Sequence, residues 1–575
     1  MESQMGPEKR FIVELNQVSF QYPGSGQPAL KDVGFKLAPG EAVLLTGPTG
    51  CGKSTLLKVI SGIIPLESSG QFKGKVRLAG KQTSLWTLPQ LAPLVGLVYQ
   101  SPDDQLFSNT VYDEVALGPI NLGLGRKEIK ARVDEALGQV GLFDLKNSQV
   151  NRLSGGQKQR LAIASQLAMR PLVMALDEPI SQLDQKGARE VLNCLKDLVK
   201  AGMALIIVEH RIEEAMTLVN RVLVMDKGRL VDAFDKARLP AHAAGLEELG
   251  LEVPEAVTLA QSMGMVLGPD WQGDFESMLA GIASKRPANS PLPAKTPRQC
   301  VSVPLLRMEG VCFRYFKGGP AALSGVSLTV CPNEVVALMG VNGSGKSTLL
   351  SLMAGLNHPG KGQVFWQNHR LKKNRPIPAG RTGMLFQNPD LLLIETSVEE
   401  EFGFGPGNQK KSSDEIKKLV TRTAQEMGLT DQLATPPWAL SKGQRLRAAL
   451  GSLLTMQPGL LLLDEPTTGQ NKKNITGLLK SIQANASVKA VVFCSHDLAS
   501  VAEFSTRVIL LNQGRIVAQG PSGEILQDRD ALTQCGLKPP KACLLSTKYG
   551  FSPPAFTASG FAARMKEVKG KSRAS

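Results

Sequence analysis

Two stretches of this chain could hold a chain of phosphates. Gly47-Pro48-Thr49-Gly50-Cys51-Gly52-Lys53-Ser54, followed by Thr55, is the first; Gly340-Val341-Asn342-Gly343-Ser344-Gly345-Lys346-Ser347, followed by Thr348, is the second. Both fit G-x-x-x-x-G-K-[ST]. Glycines let backbone N–H groups approach phosphate oxygens, and the helix that follows adds positive potential at its N-terminus. Lys53 and Lys346 are then placed to reach the β- and γ-phosphates of ATP, and Ser54 and Ser347 to bind Mg²⁺. Asp177 and Asp464 end continuous apolar runs and supply carboxylates for the same Mg²⁺. Glu178 and Glu465 follow directly, where a carboxylate can orient or deprotonate an attacking water.

These groups recur in one order. Gln100, Leu153-Ser154-Gly155-Gly156-Gln157, Asp177-Glu178 and His210 follow the first loop; Gln387, Leu440-Ser441-Lys442-Gly443-Gln444, Asp464-Glu465 and His496 follow the second. From the serine to the aspartate is 23 positions in both halves, and from aspartate to histidine 33 in one and 32 in the other. Such agreement marks an internal duplication. A lone histidine at a strand end is usually structural; the repeated offset points instead to contact with the γ-phosphate.

The elements that must position these residues are legible as well. Ala42 to Leu45, Val335 to Met339, Leu172 to Leu176 and Leu460 to Leu463 are unbroken apolar runs, the pattern of parallel strands covered on both faces. The expected class is α/β with a parallel core sheet in each half. The expected domains are 11–235 and 304–530, with an N-terminal extension at 1–10. Between them, 236–303 reads as a helical segment broken at Pro254 and a Pro- and Ser-rich flexible linker at 284–296. Residues 531–575 read as a basic tail, largely disordered, with seven Lys/Arg and one Glu from Lys541 onward.

Bulk composition narrows the setting. At 575 residues, 42% hydrophobic and 20% charged, the chain is globular and has room for two domains. No run approaches the ~18 consecutive apolar residues of a membrane span. Met1 to Arg10 lacks an apolar signal region. A soluble protein is expected, peripheral to the cytoplasmic face of the cell membrane. The net charge of +15 suits a basic surface beside an anionic leaflet, and no nucleic-acid-reading motif accompanies it. The eight cysteines are scattered without a C-x-x-C pair, so reduced thiols are expected.

The combined motifs resemble the ATP-binding cassette (ABC) family, over about 450 residues. The resemblance implies, beside each core sheet, an antiparallel β subdomain and a helical subdomain carrying the signature. It also implies a head-to-tail sandwich of the two fused domains. The Lys53 site would use Ser441, Gly443 and Gln444 of the second domain; the Lys346 site would use Ser154, Gly155, Gly156 and Gln157 of the first. Tyr22 and Tyr315 match the aromatic that stacks on adenine. Gln100 and Gln387 match the Q-loop glutamine, placed at the catalytic centre and among the Mg²⁺ ligands.

The segment after each glutamine narrows the resemblance. Gln100-Ser101-Pro102-Asp103-Asp104-Gln105-Leu106-Phe107 leads to Thr110-Val111-Tyr112-Asp113-Glu114-Val115, and Gln387-Asn388-Pro389-Asp390 to Thr396-Ser397-Val398-Glu399-Glu400-Glu401. This is similar to the ATPase subunits of energy-coupling factor (ECF) importers of vitamins or transition-metal ions. It implies a transmembrane coupling subunit and a substrate-capturing membrane subunit as partners. Asp103, Asp104 and Asp390 would help to hold the former. Two other readings compete: a soluble tandem ABC ATPase acting on ribosomes or nucleic acid, and a conventional ABC importer ATPase. The halves also differ. Lys442 replaces a signature glycine, and Asn471 stands where Asp184 sits in the first half. Both departures fall on the second domain's contribution to the Lys53 site.

Overall fold

The computed structural model describes residues 11–265, 267 and 303–574, apart from 182, 184, 373–376, 379, 467–476, 480, 483–484, 496–497 and 552–553. The chain divides into two compact units, 1–281 and 282–575. The linker at 284–296 lies outside the described residues.

Among the described residues, the first unit has ten strands: β1 (Val13–Gln21), β2 (Leu30–Leu37), β3 (Ala42–Thr46), β4 (Gln71–Leu78), β5 (Lys81–Gln82), β6 (Val95–Val98), β7 (Val173–Asp177), β8 (Ala204–Val208), β9 (Arg221–Asp226) and β10 (Arg229–Asp235). They form a six-stranded core sheet, β10-β9-β3-β8-β7-β6, and a four-stranded antiparallel sheet, β2-β1-β4-β5. Five core strands run parallel, and β10 adds an antiparallel edge through its hairpin with β9. Every residue of β3 and of β8 is buried, because helices and the second sheet cover both faces.

The second unit repeats this with β11 (Leu306–Phe313), β12 (Leu323–Val330), β13 (Val335–Met339), β14 (Lys361–Trp366), β15 (His369–Arg370), β16 (Thr382–Leu385), β17 (Leu460–Leu463), β18 (Ala490–Cys494), β19 (Arg507–Asn512) and β20 (Arg515–Pro521). Its sheets run β16-β17-β18-β13-β19-β20 and β12-β11-β14-β15. Each unit also carries a helical portion, built on Val111–Asn121, Arg126–Gln139 and Gly155–Leu167 in the first and on Val398–Asn408, Ser413–Met427 and Lys442–Thr455 in the second.

One irregularity in the antiparallel sheet matters for the site. In β1 the inward residues are Val13 and Leu15, then Val18 and Phe20. The parity switches because a bulge interrupts pairing between Leu15 and Val18, with Gln17 at φ 50°. Tyr22 therefore continues the inward face of Phe20 and packs against the core. The second unit repeats the device between Met308 and Val311, around Gly310.

Two expectations are corrected. The C-terminal segment is not disordered over its described length: helices span Lys541–Lys548 and Ala558–Ala574. Ala542, Leu545, Phe551 and Phe561 bury enough apolar surface to order a stretch whose Gly, Pro and Ser content reads as loop. Tyr549, Phe551 and Phe561 form an aromatic cluster with ring centroids 5.7–6.1 Å apart. Cys331 is disulfide-bonded, while the thiols of Cys51, Cys194, Cys312, Cys494, Cys535 and Cys543 are free. Spacing along the chain did not reveal this bond, since cysteines far from any C-x-x-C pattern can still be brought together by folding.

Phe561 is fully buried in the aromatic cluster. Phe561→Ala should therefore cost about 3–5 kcal/mol of the second unit's stability, the usual price of an emptied Phe site. Thermal unfolding of the full chain measures this, and an unchanged midpoint would contradict the packing described for the C-terminal helices.

Candidate active site

The phosphate loops, the two glutamines, the Asp-Glu steps and His210 hang from the carboxyl ends of the parallel strands. In the first unit, β3 leads to Gly47, β6 to Gln100, β7 to Asp177 and Glu178, and β8 to His210. In the second, β13, β16 and β17 lead to Gly340, Gln387 and Asp464-Glu465. Strands in register end at one level, so groups more than a hundred residues apart converge on one crevice.

Each phosphate loop is folded as its glycines demand. Gly47 has φ 152° and Gly340 φ 149°, and a Cβ on either would collide with a backbone carbonyl, of Met225 or Leu511. The lysines curl back over the loops. Lys53 Nζ donates to the carbonyls of Gly47 and Pro48 at 2.7 and 3.0 Å; Lys346 Nζ donates to those of Gly340 and Val341 at 2.8 and 3.2 Å. Both side chains are nearly fully buried, so their charge is concentrated at the loop mouth.

The carboxylates sit beside them. The Ser54 hydroxyl stands beside Asp177 and the Ser347 hydroxyl beside Asp464. Burial raises the carboxyl pKa of both aspartates, and the serine hydroxyl opposes the shift. A buried carboxylate beside a hydroxyl is a pair of hard oxygen donors, which fits Mg²⁺ completed by phosphate oxygens. Among the described residues, no cluster of three His, Cys, Asp or Glu could hold a metal by itself.

Glu178 is held on two sides. Gln100 Nε2 donates to its Oε2 at 2.6 Å, and His210 Nε2 lies 3.2 Å from its Oε1. In the second unit Gln387 Nε2 lies 3.4 Å from Glu465 Oε2, and Lys346 Nζ is 4.0 Å from Oε1. His496 and Asn471 lie outside the described residues, as does Asp184. Both glutamates occupy the left-handed backbone region, at φ 48° and 50°. A bulky residue there costs about 1–3 kcal/mol and persists where surrounding contacts impose it.

The tyrosines come to the same place. Tyr22 Oη is 3.3 Å from Thr55 Oγ1 and Tyr315 Oη 2.9 Å from Thr348 Oγ1, each on the first turn after the phosphate loop. The signature serines stand elsewhere, as N-caps of Gly155–Leu167 and Lys442–Thr455. Gln157 and Gln444 close capping boxes with them, donating N–H to the serine Oγ and accepting the serine N–H. Among the described residues, no hydrogen bond or ion pair joins a signature to the phosphate loop of its own unit.

Three features were not read from the residues. Asp103 pairs with Lys158 at 2.6 Å and Asp390 with Arg445 at 3.3 Å, both cations lying one turn into the signature helix. Two of the three aspartates expected to face a membrane subunit thus already have a partner within their unit. Glu114 and Glu401 are buried, and each carboxylate accepts two backbone N–H bonds, from Phe107 and Ser108 or from Ile394 and Glu395. Their repeat at one offset was the available signal. Cys51 is only 5% exposed, and burial pushes its thiol pKa up although the Lys53 ammonium pulls it down.

The ABC transporter family matches residues 30–181 and 323–468. A relative in Methanosarcina mazei, provisionally named an ABC transporter ATP-binding protein, is 40% identical over 94% of both chains. A Bacillus subtilis relative, provisionally named the HMP/thiamine import ATP-binding protein YkoD, is 32% identical over 91% of this chain and 94% of its own. The solved structure of cbiO1 from Clostridium perfringens, part of the ABC transporter complex cbiONQ, covers 44% of this chain and 99% of its own at 32% identity, with a TM-score of 0.39.

Alkylation should discriminate between the thiols, because the thiolate is the nucleophile. At pH 8, half-exposed Cys312 should be modified about tenfold faster than Cys51, and the Cys51 rate should still be climbing above pH 9. Mass-spectrometric labelling over a pH series reads both; a Cys51 rate matching that of Cys312 would contradict the burial.

Proposed function

Because the chain belongs to the ABC transporter ATP-binding family and is an ATPase, we propose that it is the energy-coupling subunit of a membrane importer of the energy-coupling factor type. Its two ATP sites would form between the fused units, each phosphate loop facing the other unit's signature. Its partners would be a transmembrane coupling subunit and a substrate-capturing membrane subunit, at the cytoplasmic face of the membrane. The import direction has support in the printed name of the Bacillus subtilis relative.

One observation carries the reading. The glutamine that touches the catalytic glutamate is followed, in both units, by an exposed apolar side chain fixed from below. Phe107 is 78% exposed and Ile394 65% exposed, at equivalent positions, and their backbone N–H groups are held by buried Glu114 and Glu401. Leu117 and Ile120 stand on the helix that carries Glu114, and Phe404 on the one that carries Glu401; all three are exposed. Ordered apolar side chains facing solvent are costly unless a partner covers them. An apolar pair suits a coupling helix of a membrane subunit better than the charged surface of nucleic acid.

The chemistry follows from the positions. Lys53 and Lys346 would exchange loop carbonyls for β- and γ-phosphate oxygens. Mg²⁺ would neutralise phosphate charge, held by Ser54 and Asp177 or by Ser347 and Asp464, with Gln100 and Gln387 beside them. Glu178, steadied by Gln100 and His210, would take the proton of the attacking water; Glu465 would do so in the second unit. Tyr22 and Tyr315 would stack on adenine. Binding and hydrolysis would close and open the units, and the Gln100 and Gln387 segments would pass that motion to the apolar pair.

Two outcomes are expected. Phe107→Asp with Ile394→Asp should reduce recovery of membrane proteins with the full chain about tenfold, with ATPase of the isolated chain within about twofold of normal, as for apolar anchors of an interface. Undiminished recovery would remove the docking role. Glu465→Gln should lower steady-state ATP turnover more than Glu178→Gln, since the Lys346 site is completed by the first unit's unaltered signature. Equal losses would remove that asymmetry.

A further inference from the structure

The first unit contains a buried carboxyl group that the chemistry above does not use. Glu209 lies between β8 and His210 and is 1% exposed. Its Oε1 accepts the N–H of Ile180 at 2.9 Å, and its Oε2 accepts the N–H of His210 at 3.2 Å. On the other side of the histidine, Arg211 Nη1 donates to the carbonyls of Ile180 and Leu183 at 2.9 and 3.3 Å. Arg211 is itself oriented by Glu214 at 2.9 Å. Both main-chain polar groups of Ile180 are thus taken by side chains flanking His210. Ile180 is two residues beyond Glu178, whose own N–H donates to the carbonyl of Val208 at 2.9 Å.

The loop that carries the strained Glu178 is therefore tied at several points to the segment that carries His210. The aligned residues of the second unit are Ser495 and Asp497. A serine is too short to span two N–H groups as Glu209 does, and an aspartate cannot donate to carbonyls.

We propose that Glu209 and Arg211 are positioning residues that lock Glu178 and His210 of the first unit into one rigid block. This rests on the reading of Glu178 as the group that activates water. Neither residue is assigned a contact with nucleotide; both act through the placement of Glu178. Burial raises the Glu209 carboxyl to about 8, so near neutral pH the side chain is held largely as the neutral acid, whose oxygens still accept the two N–H groups. A buried side chain with one oxygen on Ile180 of the Glu178 loop and the other on His210 is placed to join those two segments.

The test uses the full chain with Glu209→Ala, Glu209→Gln, Arg211→Ala, the Glu209→Ala/Arg211→Ala double variant, and Ser495→Ala as the second-unit counterpart. Steady-state ATPase and peptide-level amide exchange are the readouts. Glu209→Ala should lower kcat about tenfold with KM for ATP within about twofold, because misplacement of a reacting group affects the chemical step. Glu209→Gln, which keeps a carbonyl acceptor for Ile180, should recover to within about threefold of normal. The double variant should fall short of the product of the single losses, since both act on one loop. Amide exchange should accelerate in 178–183 and stay slow in β8, and Ser495→Ala should leave kcat within about twofold.

An unchanged kcat in Glu209→Ala overturns the proposal. So does a loss accompanied by fast exchange throughout β8, which is general loosening, or a double-variant loss equal to the product. Glu178→Gln separates the two levels: if it leaves turnover intact while Glu209→Ala does not, the reading of Glu178 has failed and the proposal with it; if only Glu178→Gln lowers turnover, the reading stands and the clamp falls.

Discussion

Five parallel strands, hydrogen-bonded in register and buried on both faces, end at a common level in each unit, and the candidate chemistry depends on that alignment. Asp177 pairs with Val208 across β7 and β8, and Leu45 with Val208 across β3 and β8. These pairings bring the phosphate loop, the aspartate-glutamate step and the histidine to one edge. No local propensity could do this, because the groups lie on separate turns of chain. The apolar runs that form the strands are therefore the residues on which the polar site rests.

Burial is the second constraint, and it accounts for most of the polar contacts. A charge withdrawn from water must be paired or hydrogen-bonded. The lysine ammonium groups therefore lie on loop carbonyls, Asp177 and Asp464 beside serine hydroxyls, and Glu114 and Glu401 each on two backbone N–H groups. The same requirement joins the site to the surface. Phe107 and Ile394 stand exposed because the backbone beneath them is fixed by carboxylates that cannot be left without donors.

The duplication separates what the fold requires from what one unit has added. Bulges in β1 and β11, left-handed glutamates, tyrosines on the phosphate-loop helix and aspartate-cation pairs onto the signature helix occur twice. Glu209 and Arg211, which make the ties in the first unit, align with residues of different chemistry, Ser495 and Asp497. A feature present in both copies satisfies geometry that both must meet.

The amino-acid sequence by itself determined the duplicated ABC architecture and the parallel core. Phosphate loops, Asp-Glu steps and the serine-to-aspartate interval are local strings whose meaning does not depend on distant contacts. It also named Tyr22, but not why it packs inward; that depends on a bulge visible only in the pairing of strands. Tertiary structure alone decided the partners of Glu114, Glu401 and Glu209, because a carboxylate's partner is set by what folds over it. It decided that Cys51 is buried rather than activated, for desolvation outweighs the nearby ammonium. It decided that the C-terminal residues pack as helices, since Phe551 and Phe561 gain their burial from each other and from residues beyond any sequence window.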